Sequence, residues 1–115
     1  MLFICYPKCT TCQKAEKWLA DNSFAYDKRD IKLDNPTFDE LKKWHETSGC
    51  DIKRFFNTSG ILYKQLSLKD KLPEMSVEEK LKLLSTDGML VKRPIVVTDD
   101  KVLIGFKEKE WKENL

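Results

Sequence analysis

Cys9 and Cys12 stand three residues apart in Pro7-Lys8-Cys9-Thr10-Thr11-Cys12, directly after a short apolar run and directly before an amphipathic one. Two thiols at that spacing on a helix start lie on adjacent turns of one face, close enough to form a small disulfide ring. Cys9 falls at the mouth of the helix, where unpaired main-chain N–H groups and the positive end of the dipole favour a thiolate. Lys8 adds positive charge. Such surroundings lower a cysteine pKa below its free value of about 8.5, and the thiolate is the species that attacks. Cys12 is in line with Ala15 and Leu19, faces inward and reads as the resolving thiol. The pattern predicts a redox pair in which Cys9 attacks and Cys12 closes the disulfide.

Other uses of a CxxC have to be weighed against this one. Half of a zinc site is one, but a four-cysteine site usually needs a second CxxC, and Cys5 and Cys50 do not supply it. No metal is expected. Two incidental buried cysteines are the other bland alternative. A phosphatase-type loop is excluded, because it needs an arginine six residues after the cysteine; Ala15 follows Cys9 at that distance and Thr11 follows Cys5. Cys5 reads as a core residue of a strand, and Cys50, after a helix stop, as an exposed one. His45, Trp18, Trp44 and Trp111 read as packing residues.

The flanking elements must position this pair. Leu2 to Cys5 is a short apolar run ended by Tyr6-Pro7, which suits a buried strand. Ala15, Trp18 and Leu19 give the apolar stripe of a helix. Phe24 to Ile31 reads as a second strand, and strand–helix–strand in quick succession implies a parallel β-α-β unit. Thr37 with Glu40 forms a capping box for a helix buried through Phe38, Leu41 and Trp44 and stopped at Gly49. Residues 50 to 75 read as short helical turns. A second capping box, Ser76 with Glu79, opens a helix with Val77, Leu81 and Leu84 on its apolar side, ended by Asp87-Gly88. Pro94 to Val97 and Val102 to Ile104 form a hairpin across the polar turn 98–101, and a terminal helix from Lys107 carries Trp111 against the sheet. The order predicts an α/β fold of thioredoxin-like, glutaredoxin-type architecture: a four-stranded mixed sheet with a helical segment inserted over about 37–90, all within one domain, 1–115.

Composition agrees with that reading. The chain has 115 residues, 41% hydrophobic and 35% charged, which describes an ordinary globular domain. A net charge of +2, with both signs mixed along the chain, argues against direct nucleic-acid binding. No apolar run approaches the roughly 18 residues of a membrane span, and the N-terminus lacks the basic leader and cleavage site of a signal peptide. A cytoplasmic monomer is expected. In a reducing cytosol paired cysteines are more often redox-active or metal-binding than structural.

A second segment, Val91-Lys92-Arg93-Pro94-Ile95-Val96-Val97, places an X–Pro step just before the third strand. In thioredoxin-like folds a proline there is commonly cis and faces the cysteine pair, and X–Pro is where a cis bond costs little. Arg93 would then be delivered to the thiol, while a surface arginine before a strand-starting proline is the bland alternative. Together, Tyr6 to Ala15 and Lys92 to Val97 resemble the active-site segments of the ArsC/Spx family. That family groups glutaredoxin-coupled arsenate reductases with Spx- and MgsR-type regulators. Asn57-Thr58-Ser59-Gly60 and Gly105-Phe106 are similar to segments of its uncharacterised, Spx-like branch, and the resemblance covers essentially the whole chain.

The resemblance implies Cys9 as nucleophile and Arg93 as an anion-binding residue, with Lys8, Thr10, Thr11, Lys53 and Pro94 completing a substrate- or anion-binding set. It also implies glutathione, glutaredoxin or thioredoxin as reductant rather than a bound cofactor, and for the regulators a partner in the RNA polymerase α-subunit. Two departures from the reductases stand out. Their further arginines fall here at Lys53 (or its neighbour Arg54) and at Phe106, and a phenyl ring cannot replace a guanidinium fork. The reductases also generally lack the second cysteine, so Cys12 resembles the Spx branch. The expected function is a thiol–disulfide oxidoreductase or thiol redox sensor; the alternatives are a redox-switched regulator and an arsenate reductase.

Overall fold

The computed structural model describes residues 1–115. Four strands, β1 (Leu2–Cys5), β2 (Asp27–Asp30), β3 (Ile95–Val97) and β4 (Val102–Ile104), form one mixed sheet in the order β2-β1-β3-β4. β1 runs parallel to β2 and antiparallel to β3, and β3 and β4 make the hairpin. This is a thioredoxin-like sheet. Helix α1 (Thr10–Asp21) is the crossover between β1 and β2. Between β2 and β3 lie α2 (Phe38–Ser48), α3 (Ile61–Gln65), α4 (Leu68–Lys71) and α5 (Val77–Leu84), with 3-10 turns at Ile52–Phe55, Leu72–Glu74 and Gly88–Leu90; α6 (Glu108–Asn114) follows β4.

Period-two alternation splits the strand side chains between two cores. Phe3, Cys5, Val96 and Leu103 face α1 and α6, where they meet Cys12, Ala15, Leu19 and Trp111. Ile4, Ile95, Val102 and Ile104 face the other way, onto Leu41, Trp44, Phe55 and Leu84. Both faces of β1, β3 and β4 are covered, so these strands are apolar on both sides, whereas the edge strand β2 is charged throughout.

The first core closes around an aromatic group. Trp111 is fully buried; it meets Phe106, Trp18 and Phe3 edge-on at centroid distances of 4.9, 5.8 and 6.5 Å, and its Nε1–H donates to the Gly105 carbonyl at 3.1 Å.

Strand β2 is shorter than the sequence suggests. Pairing begins at Leu2 with Asp27, so residues 24–26 have no strand to join. They turn back onto α1 instead: Phe24 stacks on Trp18 at 5.6 Å and the Tyr26 hydroxyl donates to Glu16 at 2.9 Å. Val77 also differs from expectation, being exposed at the first turn of α5, whose buried residues are Leu81 and Leu84. Asp87 does not end that helix. Its carboxylate accepts from Met89 N–H at 2.8 Å and starts the next 3-10 turn, and Gly88 packs so closely that a Cβ there would lie 1.7 Å from the Ile31 carbonyl oxygen.

Both capping boxes are present, at Thr37/Glu40 and Ser76/Glu79. The first has a second task. Arg29 of β2 makes a two-pronged ion pair with Glu40 at 2.7 and 2.9 Å and also donates to the carbonyls of Asp34 and Asn35, tying α2 and its approach loop to the sheet edge. The Arg29 contact, opposed by partial burial and joined by the Thr37 cap, pulls the Glu40 carboxyl down to about 2. A carboxylate depressed in the fold stabilises above its unfolded value and loses that contribution as pH falls through the folded one. Glu40→Gln should therefore cost about 1–2 kcal/mol at neutral pH, the partly exposed pair being screened by solvent. In acid titrations followed by circular dichroism, the cost should fade as pH falls from 4.5 to about 2.

Candidate active site

The loop Tyr6-Pro7-Lys8 carries the chain from β1 into α1. Tyr6 accepts from Cys9 N–H at 2.9 Å, and the Gln13 side chain donates to the Pro7 carbonyl at 2.9 Å, so the turn is held at both ends. Cys9 is the N-cap residue of α1, with extended dihedrals, and its carbonyl accepts the first helical bond from Gln13 N–H at 3.0 Å. Its side chain caps nothing and is half-buried. One turn on, Cys12 is 2% exposed in the core with Cys5, Ala15 and Leu19, and its sulfur accepts from Tyr6 N–H at 3.4 Å. All four cysteines are free thiols.

The two sulfurs have opposite acidities. For Cys9, burial is the largest influence and resists ionisation. The Cys12 main-chain N–H and thiol and the Arg93 guanidinium together outweigh it, leaving Cys9 below its ordinary value. For Cys12, burial dominates; the Tyr6 N–H opposes it, the neighbouring Cys9 and Cys5 add to it, and the thiol is pushed up to about 12. Burial likewise raises Cys5, which lies in the same core. The arrangement separates an ionisable outer thiol from a protonated inner one.

Arg93 reaches this place from the other end of the chain. The Arg93–Pro94 peptide is cis, as the sequence suggested, and Pro94 is buried at the entry to β3. The guanidinium lies over the Tyr6 ring at 5.2 Å, a cation–π contact. Its Nε and Nη1 are buried and have no hydrogen-bond partner. Buried guanidinium donors of this kind cost free energy unless an acceptor is supplied.

Cys9 and Arg93 open into one cavity of about 490 Å3. Its wall holds five cations, Lys53, Arg54, Lys92, Arg93 and Lys107, and no carboxylate. None of the five belongs to a salt bridge. Asn57, Thr58 and Ser59 add polar groups. The chain brings these in by clipping two loops together: Phe56 bridges Val91, Asn57 N–H donates to the Leu90 carbonyl at 2.8 Å and Lys92 N–H to the Phe55 carbonyl at 2.7 Å. Gly105 N–H donates to the Pro94 carbonyl at 2.8 Å, which sets Phe106 and Lys107 beside Arg93.

Of the residues expected at the site, Cys9, Thr11, Lys53 and Arg93 line the cavity, and Cys12 lies beneath Cys9. Lys8 and Thr10 are solvent-exposed and off its wall; the turn at Pro7 and the helix start carry them outward. Phe106 is on the wall, and its ring packs edge-on to Trp111. Lys92 and Lys107, to which the sequence assigned no role, also line the cleft; Lys92 lies within the Val91–Val97 segment and Lys107 directly follows Gly105-Phe106. His45 packs edge-on to Phe55, and no cluster of three or more His, Cys, Asp or Glu side chains is placed to hold a metal. Cys50 is half-buried beside the Ser48 hydroxyl at 3.1 Å, in a different cleft. No helix is long and apolar enough to cross a membrane.

A thioredoxin-like sheet with a cysteine pair at the start of its first helix and a cis-proline beside it defines the class. Within that class the chain belongs to the ArsC family, whose model matches residues 5–114. It is 48% identical to the uncharacterised YusI of Bacillus subtilis, over 99% of this chain and 97% of that one. It is 33% identical to the regulatory protein MgsR of the same organism, over 96% and 86%. The solved structure of an ArsC family related protein from Bacteroides fragilis superposes with a TM-score of 0.96 at 56% identity, covering 97% of this chain and 94% of that one.

The acidity difference can be titrated directly. Iodoacetamide should alkylate Cys9 with a midpoint below that of a free thiol, while Cys12 in the folded protein should stay unmodified until pH approaches 12. Arg93→Met removes a positive charge that favours the thiolate, so the Cys9 midpoint should rise. A midpoint unmoved by Arg93→Met would separate Arg93 from the thiol's chemistry.

Proposed function

We propose that the protein carries out thiol–disulfide exchange, with Cys9 as nucleophile and Cys12 as resolving thiol, in a reducing cytosol. The observation that carries this reading is geometric: a half-buried N-cap thiol lines one cleft with Arg93, and a second, buried thiol lies one turn on. The Cys9 thiolate attacks one sulfur of a substrate disulfide and expels the other as a thiolate. Cys12 then gives up its proton and attacks the Cys9 sulfur, releasing the second substrate thiol and leaving a Cys9–Cys12 disulfide. The substrate gains two electrons and the protein loses two. A glutathione-, glutaredoxin- or thioredoxin-type dithiol system would return the pair to its reduced state.

Arsenate reduction is the weaker reading. Phe106 lines the cleft where a further guanidinium is expected, and its ring is committed to Trp111. A regulatory role has one observation in its favour, the likeness to MgsR over nearly the whole chain. For that role the contact surface would be the helices between β2 and β3, and the partner the RNA polymerase α-subunit.

Cys12→Ser should trap mixed disulfides at Cys9 in cell extract, and mild peroxide should join Cys9 to Cys12 with loss of two hydrogens, reversed by dithiothreitol and read by peptide mass spectrometry. Failure of Cys9→Ser to abolish both would rule the exchange out. NMR titration with the C-terminal domain of the RNA polymerase α-subunit tests the regulatory reading. Shifts confined to α2–α5 that change on oxidation are its expected signature.

A further inference from the structure

Two cavities meet at Arg93. The first is the cationic cleft above Cys9. The second, of about 450 Å3, shares Asn57, Ser59 and Arg93 with it and is otherwise lined by Gly60, Ile61, Leu62 and Met89. Ile61 is 74% exposed at the first turn of α3. A surface that is charged around the nucleophile and aliphatic immediately beside it is shaped for a ligand with both characters in sequence.

We propose that the disulfide substrate of this protein is a polypeptide: a cysteine flanked by acidic residues lies in the cleft, and an aliphatic side chain a few residues along seats against Ile61, Leu62 and Met89. This rests on the thiol–disulfide reading above and adds the class of substrate. Charge complementarity argues for the acidic flank. Five cations without a carboxylate or a salt bridge face that cavity, and Arg93 there has two buried nitrogens without acceptors. Continuity argues for a chain rather than a small thiol. A cavity of about 490 Å3 holds a tripeptide-sized ligand by itself. Such a ligand leaves the adjoining aliphatic wall in water, whereas a longer segment covers it and gains from the burial. The polar side chains of Asn57 and Ser59 lie on both cavities, where a crossing main chain would find partners.

In the first step the Cys9 thiolate forms a bond to the peptide cysteine sulfur as that sulfur's existing S–S bond breaks. The departing thiolate takes the electron pair. Cys12 then displaces the peptide thiolate from Cys9, so the disulfide substrate ends as two thiols and the protein as the Cys9–Cys12 disulfide.

The experiment uses the reduced full chain and synthetic peptides whose single cysteine is blocked by thionitrobenzoate, with release of the coloured thiolate followed by stopped flow. Each peptide carries glutamate or lysine on both sides of the cysteine, and leucine or alanine two to four residues after it. Hydroxyethyl disulfide and the glutathione–thionitrobenzoate mixed disulfide serve as small comparators. Glutamate peptides should react roughly tenfold faster than lysine peptides at low salt, with the ratio shrinking at high salt and in Lys53→Glu. Leucine should be preferred over alanine by about fivefold, and Ile61→Ser should bring that preference to about one. Lys53 and Ile61 are both exposed, so neither substitution disturbs the core. Equal rates for the glutamate and lysine peptides overturn the proposal. So does a leucine preference that is absent or unchanged in Ile61→Ser, or a glutathione mixed disulfide that reacts as fast as the best peptide. No reaction with any of them, hydroxyethyl disulfide included, would remove the exchange reading itself.

Discussion

Cys12 and Cys9 sit one helical turn apart, yet one is in the core and the other at the edge of a cationic cleft. That difference in solvation is what the rest of the site depends on. A buried thiol resists ionisation because a charge there would be stripped of water, and the single Tyr6 N–H that reaches the Cys12 sulfur replaces only part of it. The outer thiol has the Cys12 N–H, the Cys12 thiol and Arg93 to take a share of its charge. A proton therefore belongs on Cys12, while Cys9 is the sulfur placed to ionise. The helix supplies the spacing. The sheet decides which of the two sulfurs is buried, since Cys5 and Phe3 of β1 project onto the same face and close over Cys12.

Arg93 is the group through which the two ends of the chain meet. It stacks on Tyr6, which leads into α1, and it follows a segment clipped to residues 55–57 by two main-chain hydrogen bonds. Three stretches far apart in sequence are thus fixed around one cavity by backbone pairing, and side-chain charge is left free to face the opening. Clustering five cations without an acid works against folding through mutual repulsion, most of all where water is partly excluded. Elsewhere the same chain distributes its charge differently. Arg29 is saturated by Glu40 and two carbonyls, and Lys17 and Lys28 have carboxylate partners. What distinguishes the cleft from the chain's other unpaired lysines is that five cations share one wall with no carboxylate on it.

What the sequence made legible follows from how local each signal is. The capping boxes at Thr37 and Ser76, the Gly49 stop and the apolar stripe of α1 are all set within a turn or two, and the structure has them. The mixed sheet followed from element order, because a parallel β-α-β unit and a hairpin leave few ways to pair. The length of β2 was not legible: Phe24 and Tyr26 have strand-forming side chains, but Trp18 and Glu16 of the preceding helix compete for them, and β1 pairs only from Leu2. The cleft was legible only in part. Cys9, Arg93 and Lys53 carry recognisable motifs or matching positions, whereas Lys92 and Lys107 become cleft residues through the Phe56–Val91 bridge and the Gly105–Pro94 hydrogen bond, contacts between segments that no local pattern announces. The same reasoning explains Lys8 and Thr10. Adjacent to Cys9 in sequence, they are carried away from the cleft by the turn at Pro7 and the start of the helix.

Phe106 shows how a core constraint reaches into the chemistry. Its ring meets Trp111 at 4.9 Å, and Trp111 is the fully buried anchor of α6 against the sheet, held further by Trp18, Phe3 and the Gly105 carbonyl. A guanidinium in that position would exchange an aromatic contact worth about 1 kcal/mol for a charge beside four other cleft cations and Arg93's own. That repulsion is offset only when a small multiply charged anion sits within reach of all of them. A phenyl ring in place of a guanidinium changes what the cleft can hold: that wall carries no charge and meets a ligand with apolar surface. The aromatic core thus serves two ends with one side chain, locking α6 onto the sheet and giving the cationic cleft one apolar wall.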